Sequence, residues 1–165
     1  MDRSFTFENE LAALLPRLRR FAHALSRNQA DADDLTQATI ERALKSRDQW
    51  QAGTRLDSWS YRIMRNLWID TARARSRRMV HEAPAEEGLS VGEDPRPGMD
   101  AALDLQRIMA AMARLPDDQR EVVALILVEG FGYREVSEML DLPIGTVSSR
   151  LVRGRTALLA MVGDQ

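Results

Sequence analysis

Apolar residues recur at spacings of three and four along most of the chain. Leu11, Leu14, Leu15, Leu18, Phe21, Ala22 and Leu25 form the stripe of one amphipathic helix. A second helix is predicted over about 30–47, with Asp31, Asp33 and Asp34 in its first turn, where the helix macrodipole favours anions. A third opens at 54–58, with Asp57 or Ser58 as N-cap and Trp59, Ile63 and Leu67 as a core line at i, i+4 and i+8. If it stays helical to Arg78, then Arg62, Asn66, Ile69, Arg73 and Arg77 fall within about 80° of each other on another face.

The periodicity stops between Ala83 and Asp100, where Pro84, Gly88, Gly92, Pro95, Pro97 and Gly98 interrupt any pattern. This stretch is acidic and poor in large apolar residues, so it reads as a linker over 81–100 between two units, 1–80 and 101–165. Beyond it Ala102, Leu105, Ile108, Met109, Met112 and Leu115 repeat as a helix, and Met109, Met112 and Met139 read as core packing. Pro116 breaks that helix and fits the first turn of the next, which buries Val122, Val123, Ile126 and Leu127 and ends at Gly130. A short helix over 133–140 and a last one over 144–161 are joined at Asp141, Leu142 and Pro143. No alternating β-branched run competes, so the fold class is all-α, in two small helical domains.

Composition narrows the chemistry. With 165 residues, no Cys, and only His23 and His81, thiol catalysis, disulfides and multi-His metal sites are excluded, and no cofactor is expected. His23, on an arginine-rich helix, reads as solvated. No long apolar run or signal-like start appears, so a cytoplasmic location is expected. The formal net charge of −2 hides segregation. Residues 1–80 carry 15 basic against 10 acidic side chains, and 81–100 carry Arg96 against six acidic ones. Residues 142–165 hold Arg150, Arg153 and Arg155 against Asp164 alone. Two local basic faces, suited to phosphates, flank acidic material.

The paired helices at 133–140 and 144–161 have the spacing of a helix-turn-helix. With Val147, Leu151 and Leu158 inward, Ser149 and Arg153 point nearly opposite, with Thr146, Val152 and Thr156 beside them and Arg150 on the flank. Such a face suits a major groove: arginine forks for guanine or phosphate, hydroxyls for either, and Val for a thymine methyl. Elsewhere, Trp59 lies on the core line and is expected to be buried, while Trp50 and Trp68 are divided between packing and stacking on unpaired bases.

Five segments carry a family resemblance. Leu115-Pro116-Asp117-Asp118-Gln119-Arg120-Glu121, Gly130-Phe131-Gly132-Tyr133-Arg134-Glu135-Val136 and the run from Leu142-Pro143-Ile144-Gly145-Thr146-Val147 to Arg155 resemble the fourth conserved region of bacterial extracytoplasmic-function sigma factors. Asp31-Ala32-Asp33-Asp34-Leu35-Thr36-Gln37 and its continuation to Leu44 is similar to that family's polymerase-binding helix. Trp59-Ser60-Tyr61-Arg62-Ile63-Met64-Arg65-Asn66 and its continuation to Arg73 resembles the promoter-melting segment. Two departures stand out: Ser148, where the family often has Lys or Arg, and Gly154, where Ala is usual.

The resemblance implies a transcription initiation factor whose first domain, 1–80, binds core RNA polymerase (beta-prime and beta subunits) and melts the −10 element, while 101–165 reads the −35 element. Asp34, Gln37 and Glu41 would face polymerase. Asn66 would sit where the family captures an extruded base, and Arg62, Arg73 and Arg77 would contact the strand. Thr146, Ser148, Ser149, Val152 and Arg153 would meet the upstream element. A promoter DNA partner and an anti-sigma factor are implied, with no small-molecule substrate. A sigma-like decoy that sequesters an anti-sigma protein is the alternative; an enzyme is disfavoured, because no nucleophile–base pair, metal cluster or phosphate loop appears.

Overall fold

The computed structural model describes residues 3–80 and 99–163, which lie in two compact units divided between Val91 and Gly92. All regular elements of the described residues are helical. The proposed linker residues 81–98, including His81, lie outside the described residues; the helix that follows starts at Met99, inside the stretch assigned to the linker.

In the first unit the stripe from Leu11 to Leu25 belongs to two helices instead of one, α1 (Arg3–Ala13) and α2 (Leu15–Ser26). Pro16 causes the break, because it has no N–H to give to the preceding turn and its ring crowds that turn's carbonyl. The helix α3 (Gln29–Lys45) starts from Asn28, whose side-chain oxygen accepts the Asp31 N–H at 2.9 Å. Its inner face is built from small residues. Thr36 and Thr39 are buried with their hydroxyls donating to the Ala32 and Leu35 carbonyls at 2.7 Å, and Ala32 and Ala43 lie beside them.

The helix α4 (Leu56–Met79) begins before the expected cap, so neither Asp57 nor Ser58 is the N-cap. Leu56 is buried, which carries the helix start into the core, and Asp57 sits inside the first turn. There its carboxylate accepts from the Ser58 N–H at 2.8 Å, Arg55 at 2.8 Å and Arg17 of α2 at 3.2 Å. Burial pushes the Asp57 carboxyl up, but the bonds from Arg55, Ser58 and Arg17 outweigh it and hold the group below its ordinary value. The core line is also displaced. Leu56, Ser60, Tyr61 and Met64 are buried, whereas Trp59, Ile63 and Leu67 are only half-buried. Tyr61 sets this rotation by packing edge-on against Phe21 of α2 at 4.8 Å, which leaves Trp59 at the rim against Phe7 of α1.

In the second unit, α5 (Met99–Arg114) buries Ala111, Met112 and then Leu115 beyond its end. Its first half runs past the core, so Leu105, Ile108 and Met109 are exposed, contrary to the core role expected of Met109. The helix α6 (Asp117–Val123) passes into a π-turn, Ala124–Val128, in which the Glu129 N–H reaches back to the Ala124 carbonyl at 2.9 Å. The wider turn shifts the register, so Ala124 and Leu125 are buried while Leu127, expected inside, is 51% exposed and Ile126 half-buried. Gly130 closes the segment at φ +77°. Arg120 is buried too; it donates to the Leu115 carbonyl at 2.8 Å and Asp117 at 2.6 Å, tying the start of α6 to the end of α5.

Then come α7 (Tyr133–Leu140) and α8 (Ile144–Gly163). The Glu135 carboxylate accepts the Gly132 N–H at 2.9 Å at the start of α7. Asp141 turns the chain at φ +52°, and Ser137 both donates its hydroxyl to the Leu142 carbonyl and accepts the Leu142 N–H on its own carbonyl. No helix among the described residues is long and apolar enough to cross a membrane.

Candidate nucleic-acid interface

The helix α8 is fixed from behind. Val147, Leu151 and Gly154 are buried, and a Cβ built at Gly154 would lie 2.7 Å from Val123 Cγ2 and 3.3 Å from Gln119 Cβ. Glycine therefore lets α8 approach α6 more closely than a helix with alanine there. Arg150, on the flank, reaches Asp118 of α6 at 3.5 Å and braces the same junction.

The opposite side of α8 is open. Ser148, Ser149, Val152, Arg153 and Thr156 are exposed and Thr146 is half-buried. Arg153 lies along the helix surface, its Nε donating to the Ser149 carbonyl at 3.3 Å. Val152 is 60% exposed, a β-branched apolar side chain on an otherwise polar face. A helix with hydroxyls, a methyl-bearing side chain and a guanidinium on one face carries the donor, acceptor and apolar groups that read a major groove.

In the first unit two stripes are exposed. On α3 Asp34, Gln37 and Glu41 are all exposed, and Gln37 donates to Glu41 at 3.3 Å, one turn apart. On α4 Arg62, Asn66, Arg73 and Arg77 are exposed and Ile69 is half-buried. The fold thus brings each predicted set onto one helix face. The stripes of α3 and α4 belong to the first unit and that of α8 to the second.

Sequence reasoning missed the groups that hold these faces in place. Arg75 of α4 pairs with Asp31 of α3, Nη1 to Oδ2 at 2.7 Å and Nη2 to Oδ1 at 2.5 Å. The Arg75 bond, joined by one from Asn28 and opposed by burial, holds the Asp31 carboxyl below its ordinary value. The only signal in the sequence was Asn28 three residues before Asp31, a capping spacing. The tryptophans are packed more than stacked: Trp50 is half-buried with its ring 5.4 Å from Phe7, and Trp68 is half-buried with the Arg75 guanidinium 5.9 Å from its ring centre. His23 is half-buried, not fully solvated as expected, because it borders the inward face of α2, beside buried Ala22 and Ser26.

Residues 105–158 match the family model "Sigma-70, region 4", and residues 11–65 match "Sigma2 domain of PhyR". The chain is 36% identical over 157 residues to the ECF RNA polymerase sigma factor EcfG of Rhodopseudomonas palustris, covering 95% of this chain and 85% of the relative. It belongs to the extracytoplasmic-function sigma factors. Among other members, the sigma factor SigE of Mycolicibacterium smegmatis is 40% identical over 86% of this chain, which spans 56% of that longer relative. The sigma factor RpoE of Bartonella quintana, solved in complex with the anti-sigma factor NepR, is 31% identical with a TM-score of 0.86, covering 97% of this chain and 98% of RpoE. Asp34, Gln37 and Glu41 of α3, Arg62 of α4 and the outward-face residues from Thr146 to Arg153 of α8 fall within the matched regions; Asn66, Arg73 and Arg77 lie beyond the first.

Proposed function

We propose that this sigma factor carries core RNA polymerase to its promoters with a division of labour between its units. Residues 1–80 serve as the sigma region 2 domain and 101–165 as the region 4 domain, joined by the acidic stretch 81–100. Asp34, Gln37 and Glu41 dock on polymerase. Asn66 takes a base extruded from the −10 element while Arg62, Arg73 and Arg77 hold the strand. Thr146, Ser148, Ser149, Val152 and Arg153 read the −35 element. Capture of an extruded base offsets an unstacking cost of about a few kcal/mol per step, so opening needs no nucleotide hydrolysis by the factor itself.

The observation that carries this reading is the outward face of α8: Ser149, Val152 and Arg153 are exposed together, while Gly154 and Val147 hold the opposite side against the unit's core. The chemistry asks for no catalytic side chain, in keeping with a factor that is not itself an enzyme and that works in the cytoplasm, where polymerase is. Control by an anti-sigma protein is supported by the kinship with a sigma factor solved in complex with one. Anti-sigma binding is shared by the second reading, a decoy that only sequesters the anti-sigma protein.

Run-off transcription with purified core polymerase on a genomic library separates the two. Discrete transcripts that require this chain support the sigma factor; none, with anti-sigma binding intact, supports the decoy.

A further inference from the structure

The second half of α4 carries Arg73 and Arg77, yet every buried residue of that helix lies in its first half, the last being Met64. From Arg65 to Met79 the helix is only partly covered, with side chains such as Leu67, Trp68 and Ala72 half-buried. At 100° per residue Arg75 lies about 180° from Asn66, and Trp68 shares its side. Arg75 thus points away from the strand-facing stripe and back toward α3. There both guanidinium Nη atoms meet both oxygens of Asp31, a residue 44 positions earlier. The acceptor is itself held: Asn28 donates to Asp31 at 2.8 Å and accepts its backbone N–H at 2.9 Å. Asp31 has a side-chain exposure of 17% and Arg75 of 42%, so the pair is partly shielded.

We infer that the Asp31–Arg75 pair is a positioning clamp for promoter opening: it fixes the distal half of α4 to α3 so that Arg73 and Arg77 are carried on the same rigid helix as Asn66. The inference rests on the proposed role of the α4 stripe. Neither clamp residue touches DNA; both act through the direction of the helix. Asp31 also lies one turn before Asp34, so the element that docks polymerase is the one that anchors the strand-facing helix.

The test uses the full chain and core polymerase with three variants, Arg75→Ala, Asp31→Asn and Asn66→Ala, and the charge-swapped pair Asp31→Arg/Arg75→Asp. Hydrogen exchange of the free protein should quicken about five- to tenfold in the distal turns of α4 for both clamp variants, the scale of a bidentate, partly shielded ion pair, with amides 56–64 unchanged. Opening of duplex promoter should slow by a similar factor in Arg75→Ala and Asp31→Asn, core affinity should hold, and the swapped pair should recover part of the rate. Asp31→Asn decides between roles by sign. If Arg75 instead gripped phosphate, releasing it from Asp31 would speed opening, and that result overturns the clamp. Slow opening in Asn66→Ala with normal opening in both clamp variants also overturns it. Normal opening in all three, Asn66→Ala included, overturns the role of the α4 stripe and the clamp's function with it.

Discussion

At Gly154 two opposing effects meet. A glycine within a helix costs about 1 kcal/mol relative to alanine, so propensity alone favours Gly154→Ala. The alanine Cβ, however, would meet Val123 Cγ2 at 2.7 Å, and overpacking of that kind costs about 1–3 kcal/mol. The clash wins, because Val123 is buried and β-branched and has little room to turn. Gly154→Ala should lower stability by up to about 2 kcal/mol. Adding Val123→Ala should remove the clash, so the two losses should not add. Urea unfolding of the full chain checks this; a stabilised single variant would mean that α6 and α8 yield freely. At helical spacing Gly154 falls seven residues after Val147, on the inward side of α8, and the structure agrees. The burial of Arg120 was not legible in the sequence, because a charged residue near a helix start reads as solvated until the Leu115 carbonyl and Asp117 are found beside it.

Among elements, the attachment of α4 to its neighbours is charged at both ends, through Arg17–Asp57 near its start and Asp31–Arg75 near its end. Both carboxyls are held below their ordinary value in the folded protein. The stabilisation they add is therefore fully present above the unfolded carboxylate pKa of about 4 and is lost as pH falls through the lower folded values. Urea unfolding of the first unit between pH 6 and pH 2 should show a loss at the acid end that is shallower in Asp31→Asn and in Asp57→Asn. An unchanged acid slope in both would assign acid sensitivity to other groups.

Helix existence and the outward polar faces were legible at this scale; the core line of α4 and the junctions were not. Pro16 was visible in the sequence, but seven well-spaced apolar residues masked the break it makes. The π-turn at 124–128 left no periodic trace, since one extra residue in a turn turns Leu125 inward and Leu127 outward without changing composition. The exposed polar stripes of α3, α4 and α8 were legible because polar residues at helical spacing fall on one face whatever the junctions do. What holds those faces was not, since Asp31 and Arg75 are 44 residues apart and meet only once α3 packs on α4.

Across the whole molecule, polymerase docking, strand opening and upstream reading are proposed to fall to α3, α4 and α8. Asp34→Ala with Gln37→Ala should weaken core binding with helical content unchanged, measured by titration against core polymerase and by circular dichroism. Undiminished affinity would move the docking face elsewhere. The residues proposed for reading and for opening lie in separate units, so their energetic effects should be nearly independent. Arg153→Ala should weaken upstream recognition by about 1–3 kcal/mol if the guanidinium meets a base, and then relax specificity at one position. The most direct test of this division is permanganate reactivity of thymines near the start site, with wild type, Asn66→Ala and Arg153→Ala each in complex with core polymerase. The account predicts that Asn66→Ala loses reactivity on duplex promoter while still binding the upstream element, and that Arg153→Ala retains opening on a pre-melted template. Normal reactivity in Asn66→Ala together with lost opening in Arg153→Ala on that template would contradict it.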